Sequence, residues 1–162
     1  MHVAFPGGTG GAAAAADIWH TKVRAGAAFT ASAFVAALAA NYSLIQLLNP
    51  VGSGVTLVIY GAISTVSLTS RPTIREYDTA LTTLDMNGVN LLRGGAAGLG
   101  AVRTEQAAAV PGSRTNSTDA LANTPIYWPF PWLGQLSAGE GIVFCGSAVN
   151  SQVSANIWWY EE

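Results

Sequence analysis

The plainest pattern in the chain is an alternation near its end. From Val153 to Tyr160, the residues Val153, Ala155, Ile157 and Trp159 fall on one face, and Ser154, Asn156, Trp158 and Tyr160 fall on the other. A period of two marks a half-buried strand. A short apolar run, Ile142 to Gly146, precedes it across turn residues at Ser147 to Ser151. A strand this rich in tryptophan belongs in the middle of a sheet or against another subunit.

Upstream, the same reading predicts short strands at Ala28 to Phe34 and at Ser43 to Leu48, the second closing on Asn49-Pro50. A helix over Ala36 to Leu48 ranks below that strand. The segment Pro50-Val51-Gly52-Ser53-Gly54 is turn chemistry, because Pro fixes φ and glycine allows positive φ. Val55 to Leu68 is the longest strand region, and its inward phase is expected to change near Gly61, as at a bulge. Arg71 to Thr79 is the most charged patch, with Ile74, Glu76 and Asp78 on one face and Arg75 and Tyr77 on the other. Leu81 to Gly100 reads as loop with short strand pieces. Ala101 to Ala108 reads as an edge strand blunted by Arg103 and Glu105. Val110 to Thr124 reads as polar loop, and the proline-rich Pro125 to Leu133 as an edge or extended segment. The expectation is an all-β domain over residues 25–162, a jelly roll or β-sandwich of about eight short antiparallel strands. Residues 1–24, opening on glycine pairs and an alanine run, are expected to form an extended low-complexity N-terminal arm.

Composition sharpens the picture. Only 10% of residues are charged, against roughly 25% in an ordinary soluble domain. No charge occurs from Ala25 to Ser70. Such a surface is expected to be covered by partners. A net charge of −2 and a single lysine give no electrostatic footprint for nucleic acid. Ala25 to Leu48 is long enough to span a bilayer, but its Ala, Thr, Ser and Gly content argues against a membrane span.

Candidate chemistry is sparse. The two histidines, His2 and His20, both lie in the expected arm, which is no scaffold for a catalytic triad or metal site. Cys145 sits in an apolar strand run and reads as a buried, inert thiol. Glu76 with Asp78 has the i, i+2 spacing a glycosidase could use, yet Arg71 and Arg75 beside it offer simple neutralisation. Asp85, Asn87 and Asn90 lack the loop pattern of a calcium site. The reading is therefore no enzyme, no cofactor and no metal.

The aromatic residues are more informative. Tyr127, Trp128, Phe130 and Trp132 form one cluster, and Trp158, Trp159 and Tyr160 a second. Together they are expected to form an oligomer interface or, as the alternative, a glycan platform. In the arm, Val3, Phe5, Ile18 and Trp19 are candidate anchors onto a neighbouring subunit.

Two further motifs carry a resemblance. Leu47-Leu48-Asn49-Pro50 followed by Gly52-Ser53-Gly54 comes first. Leu136-Ser137-Ala138-Gly139-Glu140-Gly141, with a last strand closing on Trp159-Tyr160-Glu161-Glu162, comes second. In this order they resemble small bacteriophage virion proteins, although Ala138 stands where proline is common and Tyr160 is an extra residue before the glutamates. The resemblance covers Phe29 to Glu162 and implies a jelly roll similar to tumour-necrosis-factor-like trimers. It implies a capsid decoration (cement) protein on the virion surface, a homotrimer whose partner is the major capsid protein or another virion protein. The alternative it implies is a receptor- or glycan-binding fibre tip contacting a host glycan. It supplies no catalytic residues.

Overall fold

The computed structural model describes residues 9–129 and 133–162, with side chains from Asp17 onward. A helix, α1 (Thr9–Arg24), precedes twelve strands among the described residues. They are β1 (Ala28–Val35), β2 (Tyr42–Leu48), β3 (Leu57–Val66), β4 (Thr73–Glu76), β5 (Thr83–Asn87) and β6 (Val89–Asn90). Then follow β7 (Ala101–Ala107), β8 (Ser113–Ser117), β9 (Ile126–Pro129), β10 (Gln135–Leu136), β11 (Gly141–Cys145) and β12 (Val153–Glu161). The strands pair antiparallel into two six-stranded sheets, so the chain is an all-β sandwich. Sheet A runs β10-β3-β12-β1-β6, with β9 also pairing β3. Sheet B runs β5-β7-β2-β11-β4-β8.

The core lies between the inner faces. Phe29, Ala31, Ile157 and Trp159 of sheet A meet Ile45, Leu47, Val102 and Phe144 of sheet B. The alternation of β12 is as read: Val153, Ala155, Ile157 and Trp159 are buried, and their neighbours on the other face are not. Strand β12 is central, paired with β1 on one side and β3 on the other. The register of β3 against β12 slips between Trp158 and Trp159, opposite Gly61 and Ile59, leaving Tyr60 unpaired. That bulge flips the phase of β3. Leu57 and Ile59 point inward before it, and Ala62, Ser64 and Val66 do so after it. Trp159 is approached so closely by the loop after β5 that a Cβ on Gly88 would stand 2.4 Å from its ring.

Four expectations need correction. Twelve strands replace about eight, because β6 and β10 are only two residues long, β5 is a short piece, and β8 has no apolar position to announce it. The arm is not extended from Thr9 to Arg24 but helical. Its alanine run has the highest helix propensity of any residue, and Lys22 and Arg24 in the last turn oppose the helix dipole. Gly26, at φ +70°, closes the helix as Ala27 N donates to Lys22 O and Gly26 N to Val23 O, a paired capping geometry that needs a left-handed residue. Strand β7 is not an edge, since it lies between β5 and β2. Within the expected loop over Val110 to Thr124, Ser113–Ser117 forms the edge strand β8. The helix considered over Ala36 to Leu48 gives way to strand β2.

Candidate interaction surface

The aromatic residues singled out from the sequence part company. Trp159 and Trp128 are core residues, at 0% and 1% exposure, and form neither an interface nor a platform. Alternation sends Trp159 inward, where it stacks on Phe29 with centroids 6.2 Å apart. Trp128 follows the same parity on β9, and its Nε1 donates to Ser64 Oγ at 2.8 Å. That bond exists because the β3 bulge turns Ser64 inward. Phe130 and Trp132 lie outside the described residues, as do Val3 and Phe5.

Tyr127, Trp158 and Tyr160 do share one place, the outer face of sheet A. Tyr127 is 56% exposed on β9, and Trp158 and Tyr160 are half-buried on β12. Pairing places Tyr127 opposite Ile63 of β3 and Trp158 opposite Gly61, so the absence of a side chain at Gly61 leaves room for the Tyr127 ring. Two aromatic residues of this face were not singled out from the sequence. Phe34 on β1 is 60% exposed, and its outward phase could have been read from buried Ala31, Ala33 and Val35. Tyr60 is displaced by the bulge, which no local pattern announces.

The rest of the face is small and hydroxylated. Ser32 pairs with Asn156 across β1 and β12, and Thr65 with Ser154 across β3 and β12, each through side-chain hydrogen bonds. No charged residue stands among the outward positions of β1, β3, β9 and β12 from Thr30 to Trp158. Charge appears only at one end, where α1 docks. Trp19 stacks on Tyr60 with centroids 4.4 Å apart and planes at 20°. Lys22 Nζ lies 2.9 Å from Glu162 Oε1 and 4.9 Å from the centre of the Tyr160 ring. Burial and the Glu162 carboxylate raise the Tyr160 hydroxyl pKa, with Lys22 pulling it down. Trp19 is thus an anchor onto its own domain rather than onto a neighbour, whereas Ile18 is exposed.

Sheet B treats its outer face differently. Leu44, Val143 and Cys145 point outward and are nonetheless buried, together with Leu81, in a second apolar cluster. The segment after β4 roofs them. Gln46, wholly buried, donates from Nε2 to Tyr77 O at 2.7 Å and Thr79 O at 3.0 Å, and accepts from Leu81 N at 2.9 Å. Arg103 donates to Leu81 O and Glu105 accepts from Thr82 N. The two charges expected to blunt an edge therefore fasten this roof. Beneath it, burial pushes the Cys145 thiol up to about 12, against a smaller downward pull from Arg75.

The carboxylates have structural partners. Asp78 Oδ1 accepts from Gly141 N, and Glu161 Oε1 accepts from the amides of Leu99 and Gly100. Asn90 spends its side chain on Gly26 O, Ala96 O and Leu92 N. Among the described residues no three His, Cys, Asp or Glu side chains are grouped to hold a metal ion. No described helix is long and apolar enough to cross a membrane.

The Asn49-Pro50 motif and the Leu136 to Gly141 motif meet at one end of the sandwich. Asn49 is fully buried, and its Nδ2 donates to Val55 O at 2.8 Å and Leu136 O at 2.9 Å. Its main chain exchanges hydrogen bonds with the second motif, Asn49 N to Glu140 O and Gly139 N to Asn49 O. Glu140 turns back to accept from Ser137 N. Both motifs are thus parts of one clasp, and their residues shape the fold. No protein family, curated protein or solved structure matches this chain.

Proposed function

We propose that the chain is a structural protein of a bacteriophage-type virion, a decoration protein seated on the outer capsid surface as a homotrimer. The observation that carries this reading is the uncharged, aromatic-bearing outer face of sheet A. Burying such a face against another protein removes no ion from water, which is the costly part of burying a typical surface. Its exposed rings, Phe34 and Tyr127, and the half-buried Trp158 are of the kind that anchor interfaces. The resemblance of the Asn49 and Glu140 motifs supplies the virion setting. Sheet A would pack between copies, and the capsid would be met elsewhere on the trimer.

Sedimentation of the purified chain tests the first half. A trimer is expected, and Phe34→Asp combined with Tyr127→Asp should release folded monomers. A folded wild-type monomer at all concentrations sinks the assembly reading. Location in a map of the whole particle tests the second half, because density for this chain away from the capsid shell removes the decoration role. A glycan-binding fibre tip is the second reading, favoured by Tyr127 and Trp158 lying on one face where a sugar ring could stack. Saturable glycan binding lost in Trp158→Ala would replace the first reading with the second.

A further inference from the structure

The outer face of sheet B carries an open groove of about 600 Å³ at its β4–β8 edge, reaching Cys145 at the margin of the roofed cluster. Three of the six arginines in the chain line it: Arg71, Arg75 and Arg114. Asp119 is the one carboxylate among its lining residues, so the groove holds a net charge of +2 in a protein whose total is −2.

The arginines are not scattered. Arg75 and Arg114 are direct cross-strand partners in β4 and β8. Like charges placed opposite each other destabilise a strand pair, and nothing anionic stands between these two. Arg75 is also held in place. Its Nε donates to Pro111 O at 2.6 Å and its Nη2 to Gly112 O, bonds that leave further guanidinium donors unspent. Arg71 is fixed by one Nε bond to Asp119 at 2.9 Å, which leaves both of its Nη groups. Arg114 has no hydrogen-bond or ion-pair partner among the described residues and is exposed.

Hydroxyl residues lie around the same place. Ser70, which lines the groove, has a hydroxyl shielded from solvent and without a hydrogen-bond partner among the described residues. Thr73 and Ser147 present two more hydroxyls there, each already oriented: Thr73 Oγ1 donates to Arg71 O, and Ser147 Oγ accepts from Arg71 N. Positioned guanidinium forks with unspent donors, flanked by hydroxyls, match the needs of a group with several oxygens and negative charge.

We infer that this groove binds an oxyanion, a sulfate, phosphate or carboxylate group, carried on a small polar molecule. The volume exceeds what a bare ion fills and falls in the range of small-molecule sites. The anion would sit between Arg75 and Arg114 and relieve their repulsion. This assignment is independent of the assembly reading, since the groove lies on the other sheet.

The test is a titration of the isotope-labelled full chain followed by amide and arginine Nε resonances at constant ionic strength and neutral pH. The probes are inorganic sulfate, inorganic phosphate and glucuronate, with glucose as the neutral control. Saturating shifts at Ser70, Arg71, Arg75 and Arg114 are expected with at least one anion and none with glucose. Sulfate or phosphate alone identifies a tetrahedral group, and glucuronate identifies an organic acid. Arg114→Gln, on an exposed edge strand, should weaken binding about tenfold, the loss of one charge-assisted contact. Arg71→Gln serves the same purpose if that variant fails to fold, and Arg93→Gln, outside the groove, should bind as wild type. Shifts that fail to saturate, that appear equally at Arg93, or that persist undiminished in Arg114→Gln overturn the assignment.

Discussion

The outer face of sheet B is roofed by its own chain, whereas among the described residues that of sheet A meets the last turns of α1 at one end. Both faces carry apolar side chains, but the outward strand positions of sheet A lack charge, whereas sheet B carries Arg75, Arg103, Glu105 and Arg114. In sheet B, Leu44, Val143 and Cys145 reach full burial because Gln46, Arg103 and Glu105 tie the backbone from Tyr77 to Thr82 above them. In sheet A, Phe34 and Tyr127 stay open and Trp158 is half-buried. The difference teaches that outward apolar side chains alone do not mark an interface. They mark a surface that must be covered, and the chain covers one such surface itself, fastening the cover with charged side chains.

The sharpest way to separate inner from outer is the tryptophan pair at positions 158 and 159. Trp159→Ala should lower unfolding free energy by about 4 kcal/mol, the usual scale for emptying a large aromatic site in a core. The measurement is chemical denaturation, and a loss below about 1 kcal/mol would mean that Trp159 is not packed as described. Next in size comes the roof. Gln46→Ala removes three hydrogen bonds at once and should cost about 3 kcal/mol, with the amides from Tyr77 to Leu81 exchanging far faster. Unchanged exchange there would show that the roof stands without its pin.

Alkaline pH probes the same roof more gently. In the folded protein the Cys145 thiol keeps its proton up to about 12, against an ordinary value of 9.0. Between those values the folded state holds a proton that the unfolded chain has released, so stability falls as pH rises through this window. The fall should be shallower in Cys145→Ala, which retains the Tyr160 contribution. Equal slopes would place water at the thiol. The smallest effect belongs to the open face. Trp158→Ala should change monomer stability by no more than about 1 kcal/mol while weakening self-association. A loss as large as that of Trp159→Ala would make the open face part of the core.

Much of this contrast was written in the sequence, though unevenly. The parity of Val153 to Tyr160 separates Trp159 from Trp158 without any structure, and the phase change near Gly61 is legible from the glycine and its neighbours. Trp128 was not legible, because Pro125 and Pro129 interrupt the alternation that would have sent it inward. Helix α1 was misread because an alanine run beside glycines looks like low complexity, while its helix propensity is high. Strand β8 is invisible for another reason: Ser113 to Ser117 is an edge strand with no apolar face. Its invisibility hid the Arg75–Arg114 pair, since two arginines 39 positions apart become neighbours only through β4–β8 pairing. Likewise Gln46 looks like one polar residue in an apolar run until the segment it holds is seen above it.

The placement of β12 between β1 and β3 has a consequence for how the chain reaches this state. Thr30 and Ile157 are hydrogen-bonded neighbours 127 residues apart. The middle of sheet A therefore waits on a contact between distant parts of the chain. Topologies of this kind fold in milliseconds to seconds rather than microseconds, because the entropy of closing the loop precedes any reward from pairing. During that wait β1 and β3 present open edges, in a stretch from Ala25 to Ser70 that carries no charge to keep two chains apart. Lysine and other edge charges are the usual guard against strands of different molecules pairing. Refolding yield should therefore depend on concentration far more steeply than the stability of the finished sandwich would indicate, with the race between β12 and a stranger's strand deciding the outcome.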